Sequence, residues 1–344
     1  MDTTSDAAVR TSGRGILVGL VVGVPVSGVC LWLATRGLDP DRLWRTLRGA
    51  DPGPLALAVL AMAAVYAAQS ERWRILARGQ ADRPRRVFTA LVIGAVAVNN
   101  LIPGRPGEAL RAYWLSRSAR IPFGRALGTV VVDRAADVLV LAGLLLFTVP
   151  FLGTPVWLSR LLLASVALCA IVLIALGAAR FYAHHSVRGR SRAAAVVRSR
   201  SRIRHDISAL VRGVAESVDR RRLLPAIGLS ALAWLAFAAG AWAVGAALGI
   251  PLSPLEALFL TAVVNLGVAI PSSPGFVGTY HWLTVAALGL FAVGRSDAFA
   301  LSVLLHAAWY VPTTLTGLAL GARAGASWRP PARPEASPAG EHVA

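Results

Sequence analysis

The chain has 344 residues, of which 56% are hydrophobic and only 15% charged, with a mean hydropathy of +0.62. Water-soluble domains carry nearer 25% charge, so this composition excludes a soluble enzyme and implies a polytopic membrane protein. The net charge of +18 comes from 35 arginines (there is no lysine) against 17 acids. With no aromatic-interleaved basic motif, it reads as membrane topology and excludes nucleic acid as a partner.

Taken in chain order, residues 1–14 read as a cytoplasmic tail, with Arg10 and Arg14 preceding an apolar run over 15–35. That run is longer than a signal-peptide core and lacks an Ala-x-Ala ending, so it predicts a first membrane helix with its amino end inside. Leu43, Trp44 and Leu47 then fall at helical spacing and predict a short interfacial helix within 39–51. Further apolar segments follow near 53–69, 87–102, 127–149, 157–179, 223–249, 255–270, 279–293 and 298–321. Cys30 and Cys169 lie inside apolar runs and read as small hydrophobes, not as a disulfide or metal site. The tail 322–344 has no apolar period and is expected to be disordered. The organisation predicted is one transmembrane domain over 15–321.

Charge placement constrains the topology. The connection 71–86 and the stretch 103–126 are both arginine-rich, and between Arg180 and Arg222 there are 12 Arg against three acids. All three should face the cytoplasm. They can do so together only if 87–102 enters from the cytoplasm, breaks near Pro103 and returns. By the same logic 255–270 and 279–293 form a hairpin from the outer face, and both chain ends are cytoplasmic. The expected fold is all-α, with about 6–8 membrane helices plus two Pro/Gly-broken re-entrant hairpins in an inverted repeat. Nine ordinary helices with imperfect charge bias is the alternative.

The two breaks share the pattern Pro-x-x-Pro-Gly. The first is Pro103-Gly104-Arg105-Pro106-Gly107, reached through Asn99 and Asn100; the second is Pro271-Ser272-Ser273-Pro274-Gly275, reached through Asn265. Proline removes a backbone donor and glycine loosens the chain, so a helix stops at each. Paired breaks in two halves of a membrane protein point to a binding site. At the first, a helix restarting at Gly107 presents a positive dipole end, Arg105 and Arg111 add charge suited to phosphate, and Glu108 can pair with Arg111 at i, i+3. The plainer reading is a cytoplasmic turn with a solvated salt bridge. At the second, Ser272, Ser273 and Thr279 supply hydroxyls, and Gly275 and Gly278 allow close backbone approach. His281 is the group there able to change charge near neutral pH, although a hydrogen-bonded structural histidine is the plainer reading for it and for His306. Asp133, Arg134 and Asp137 place three ionisable groups in an apolar run, for either a polar cavity or an internal ion pair that holds helices together. No nucleophile elbow, zinc-binding helix, phosphate loop or dinucleotide fingerprint is present, so neither catalysis nor a cofactor or metal is expected.

The elements Asn100…Pro103…Gly107-Glu108…Arg111, Asp133-Arg134…Asp137 and Pro271…Pro274-Gly275…Gly278 resemble the lysylphosphatidylglycerol synthase transmembrane-region family, over roughly residues 15 to 321. Members are often described as flippase-like integral membrane proteins. The larger synthases carry a C-terminal soluble domain that transfers an amino acid from tRNA to phosphatidylglycerol. The resemblance here covers the membrane region, so that transfer is not expected. What the resemblance and the residues imply together is a plasma-membrane lipid translocase or lipid-carrier transporter for an anionic or modified phospholipid. Its headgroup would be received by Asn100, Arg105, Glu108, Arg111, Asn265, Ser272, Ser273, Gly275 and Gly278. The alternative is a non-catalytic membrane subunit of a lipid-modification or glycolipid pathway, docking a soluble enzyme on the basic loop 180–222.

Overall fold

The computed structural model describes residues 19–152, 157–189, 202–268 and 272–327. These contain twelve α-helices and no strand. The expected termini 1–14 and most of 322–344 lie outside the described residues, as does Pro271.

Helix α1 (Val24–Thr35) turns through 89° into α2 (Pro40–Arg48), the short helix expected within 39–51. Asp39 starts α2 by accepting hydrogen bonds from the amides of Asp41 and Arg42 at 3.0 and 3.1 Å. Asp51 caps α3 (Pro52–Ala77) in the same way, and Pro52 supplies the preset first-turn dihedral. A broken pair follows, α4 (Arg85–Leu101) and α5 (Gly107–Ala119), then α6 (Phe123–Thr148) and α7 (Trp157–Gly189). The basic stretch read as a loop holds the end of α7 and a further helix, α8 (Arg202–Ser217). Helix α9 (Arg220–Ala247) leads to a second broken pair, α10 (Pro254–Gly267) and α11 (Thr279–Gly289), and α12 (Arg295–Ser327) closes the described fold. Ser253 and Glu256 cap α10 reciprocally, at 3.2 and 2.7 Å.

Helices α3 and α9 pack along much of their length through small residues. Ala58, Met62 and Val65 meet Ala233, Phe237, Ala241 and Val244 in the main core. Lipid tails are as apolar as leucine, so close packing of small side chains, not exclusion of water, holds such pairs. A second core gathers Trp73, Phe88, Ala112, Leu115 and Val130 around the first broken pair.

The connections sort into two ends of the bundle. At one, Gln80 bonds Ser217 at 3.0 Å, Arg83 donates to the Ser118 carbonyl, and Arg180 donates to the Val218 carbonyl at 2.7 Å. At the other, Asp39 N–H donates to Ser296 at 3.0 Å, Arg42 pairs with Asp297, and Asp51 N–H donates to the Ala247 carbonyl at 2.8 Å. The first pair, α4 and α5, leaves from and returns to the former end; α10 and α11 leave from and return to the latter. The two broken pairs are therefore opposed hairpins.

The long helices α3, α6, α7, α9 and α12 connect the ends, and the described part of α1 runs inward from the second. Four of them are long and apolar enough to cross a membrane, or five spans if the bent pair α1 and α2 is one. Helix α6 is as long as α3, at 26 residues, but Asp133, Arg134 and Asp137 interrupt its apolar run. The protein is a polytopic, all-helical membrane protein.

Candidate functional site

The first tip is built by the break after α4. Gly104 and Arg105 take left-handed conformations (φ 83° and 55°), which turns the chain back toward α4. The side chain of Asn99 accepts the Gly107 amide hydrogen bond at 2.7 Å, so the first donor of α5 is already satisfied. A Cβ at Gly107 would collide with the Ala95 carbonyl oxygen, which explains glycine where α5 folds against α4. Asn100 is buried and donates to Thr314 at 2.8 Å and Thr313 at 3.3 Å on α12, while its Oδ1 has no partner among the described residues.

The second tip comes to meet the first. The Arg105 guanidinium donates to the Val268 carbonyl, just past α10, and lies 4.5 Å from the centre of the Phe276 ring. Tyr310 Oη donates to the Asn100 carbonyl at 3.3 Å, and Gly275 lies against the ring of Tyr310. The Ser273 backbone N–H donates to Ser27 Oγ of α1 at 2.7 Å, and the Ser273 hydroxyl donates to the Val277 carbonyl at 2.8 Å. Gly278, at φ 93°, passes so close to the Ser27 carbonyl that no side chain fits. Ser272 is buried with a hydroxyl that has no partner among the described residues. Asn265 turns its amide back to the Thr261 carbonyl at 2.8 Å, away from the tip contacts.

Beside the first hairpin lies a buried charge cluster. Arg72, from the end of α3, bonds Asp133 through Nε at 2.6 Å and holds Asp137 with both terminal nitrogens, one at 2.9 Å. Arg111 spans Asp133 at 2.9 Å and Glu108 at 2.6 Å, and its guanidinium sits 4.8 Å over the Trp73 ring. Arg134 reaches Asp133 at 3.1 Å, Asp137 at 3.4 Å and Glu108 at 3.8 Å. Ser230 and Trp234 of α9 donate to Asp137 at 3.0 and 2.9 Å. Three guanidinium groups thus face three carboxylates, and the charges cancel. Bidentate geometry and added donors are what make such burial tolerable.

Arg111 is therefore already engaged by carboxylates, and among the sequence-derived arginines it is Arg105 that stands between the two tips. Arg72, Ser230 and Trp234 were not singled out from sequence. Charge balance is the signal that points to Arg72: Glu108, Asp133 and Asp137 outnumber Arg111 and Arg134 by one.

A further polar group lies at the second hairpin. Ser302 donates to the Phe299 carbonyl at 2.7 Å and contacts His281 Nδ1 at 2.9 Å, and His281 Nε2 lies 3.3 Å from His306 Nδ1. The His306 ring stacks on Tyr280 at 4.8 Å. The two histidines are thus hydrogen-bonded to each other.

Residues 16–317 match the model of the lysylphosphatidylglycerol synthase TM region. The chain belongs to this family. Among relatives of this lysylphosphatidylglycerol synthase TM-region protein is the glycosyltransferase AglD of Haloferax volcanii, 28% identical over 334 residues, covering 88% of the chain and 54% of AglD. A UPF0104 membrane protein of Methanocaldococcus jannaschii is 30% identical over 115 residues, covering 32% of the chain and 34% of the relative. Another, from Methanothermobacter thermautotrophicus, is 28% identical over 159 residues, covering 45% and 46%. The chain spans about half the length of AglD and less of the other two.

Proposed function

We propose that this family member is a non-enzymatic lipid translocase or lipid-carrier transporter of the plasma membrane, which receives an anionic or modified phospholipid headgroup where the two hairpin tips meet. The observation that carries this reading is the contact itself: two broken hairpins, entering from opposite ends of the bundle, touch through Arg105. Broken helices in a bilayer leave polar backbone that is tolerated only within protein or along a polar cavity. Arg105 brings a guanidinium that no carboxylate pairs among the described ion pairs, and Ser272 and Asn100 Oδ1 bring unused hydrogen-bonding capacity. A phosphate would displace the carbonyl and ring contacts of Arg105 and separate the tips. Arg111 and Glu108 act one layer back, holding the restart of α5 in place. No nucleotide-binding motif is present in the sequence, so movement is passive or coupled to an ion gradient. The arginine-rich end of the bundle, with both termini, is assigned to the cytoplasm.

The test is a headgroup-accessibility assay in proteoliposomes. Arg105→Ala combined with Ser272→Ala should abolish transfer of an anionic lipid between leaflets while the protein remains folded. Transfer at the unmodified rate would overturn the assignment of the tips.

A second reading is favoured by one comparison. A relative named as a glycosyltransferase extends well beyond the region that this chain matches. The chain would then serve as the membrane partner of a soluble lipid-modifying enzyme docked on the basic stretch 188–204. Co-purification of such an enzyme, lost when those arginines are neutralised, distinguishes it.

A further inference from the structure

A groove of about 400 Å3 runs between α3, α4 and α12, within the range of about 300–1,000 Å3 usual for small-molecule sites. Its walls are Val59, Met62 and Ala63 of α3, Ile93 of α4, and Ala308 and Pro312 of α12. Arg85, the first residue of α4, lines it too. Buried Trp309 and Thr313 also line it, and Thr313 is one of the two threonines that Asn100 of the first tip bonds. Pro312 cannot donate the helical hydrogen bond to Ala308, which loosens α12 along this wall.

The charges fit one kind of occupant. The Arg85 side chain is 64% exposed and lies 3.7 Å from Glu71, but Glu71 is already held by Arg74 through two hydrogen bonds. Arg85 therefore keeps most of its positive charge for another partner. No acidic residue lines the groove. An exposed cation lining an apolar groove complements an anionic head on an apolar tail.

We propose that this groove holds one acyl chain of an anionic phospholipid whose phosphate is bound by Arg85, as a waiting position beside the tip contact. The inference rests on the translocase reading for its purpose, though not for its geometry.

The experiment uses the full chain in phosphatidylcholine liposomes with trace phosphatidylglycerol carrying a diazirine in one acyl chain, followed by peptide mapping. Cross-links should concentrate on α3 and α12 peptides holding Ala63 and Ala308. They should exceed those from a diazirine phosphatidylcholine about fivefold, as one arginine at an anionic lipid surface supports. Arg85→Gln should remove that preference. Ala63→Trp, and separately Ala308→Phe on the opposite wall, should reduce the labelling, whereas Leu163→Trp on exposed α7 should not. Labelling spread evenly over α7 and the groove, or a preference that survives Arg85→Gln, overturns the proposal. Headgroup transfer by the unmodified chain is measured in the same liposomes. Transfer without groove labelling defeats the groove alone, and groove labelling without transfer defeats the translocase reading alone.

Discussion

At the scale of single residues, Arg72 and Arg134 contact the same two aspartates from different surroundings. The Arg72 side chain is 0% exposed and that of Arg134 is 42% exposed. Removing a fully buried partner strands a charge, at a cost of about 3–5 kcal/mol, whereas a solvated arginine leaves water in its place. Arg72→Leu should therefore lower the thermal transition in detergent far more than Arg134→Leu; equal shifts would show that burial does not govern the cluster. Gly107 gives a second test. A methyl group there must push against the Ala95 carbonyl, and overpacking costs about 1–3 kcal/mol. Gly107→Ala should lose monodisperse protein on size-exclusion chromatography, while Gly143→Ala, where a Cβ meets nothing, should not.

At the scale of elements, the seating of the second tip on α1 makes a direct prediction. The Ser273 amide donates to Ser27 Oγ at 2.7 Å, so the two residues are in direct contact. With Cys30 and Cys169 replaced by alanine, Ser27→Cys plus Ser273→Cys should cross-link with a short bifunctional thiol reagent, and no cross-link would show that the second tip does not rest on α1. The helices themselves were largely legible in the sequence. Apolar length and proline stops gave ten of the twelve helices, although α3 and α7 run on to Ala77 and Gly189, past the ends of the apolar runs at 69 and 179. The other two were less legible. The restart of α5 at Gly107 was read but its extent was not, because its run over 107–119 mixes charged with apolar residues, and Arg111 and Ala112 are buried by α3, α4 and α6. Helix α8 lies in a stretch whose arginines mask an apolar face; that face packs on α6 where Gly128 and Gly213 let the backbones approach. The contact between tips was legible as an expectation from charge placement. The partners of each charge were not, because Arg72 and Asp133 are 61 residues apart and share no local pattern.

At the scale of the whole molecule, the end carrying 78–86, 117–125 and 220–222 is rich in arginine, whereas at the other Arg36, Arg42, Arg45, Arg48 and Arg295 are matched by Asp39, Asp41, Asp51, Glu256 and Asp297. The orientation proposed above follows from that asymmetry through the positive-inside rule and is open to direct test. In the cysteine-free chain, a membrane-impermeant maleimide applied to intact cells should label Ala50→Cys and leave Ser118→Cys unlabelled until the membrane is opened. The reverse pattern would invert the molecule. The cancelled charges of the buried cluster also bear on energy. Moving one elementary charge across 100 mV costs about 2.3 kcal/mol. Glu256, at the start of α10, is the one formally charged side chain between Pro254 and Gly289, and the six-membered cluster sums to zero. Rearranging either body within the bilayer would thus do almost no electrical work, and under the proposed translocase reading a membrane potential would act chiefly on Arg105 and on the charge of the lipid headgroup.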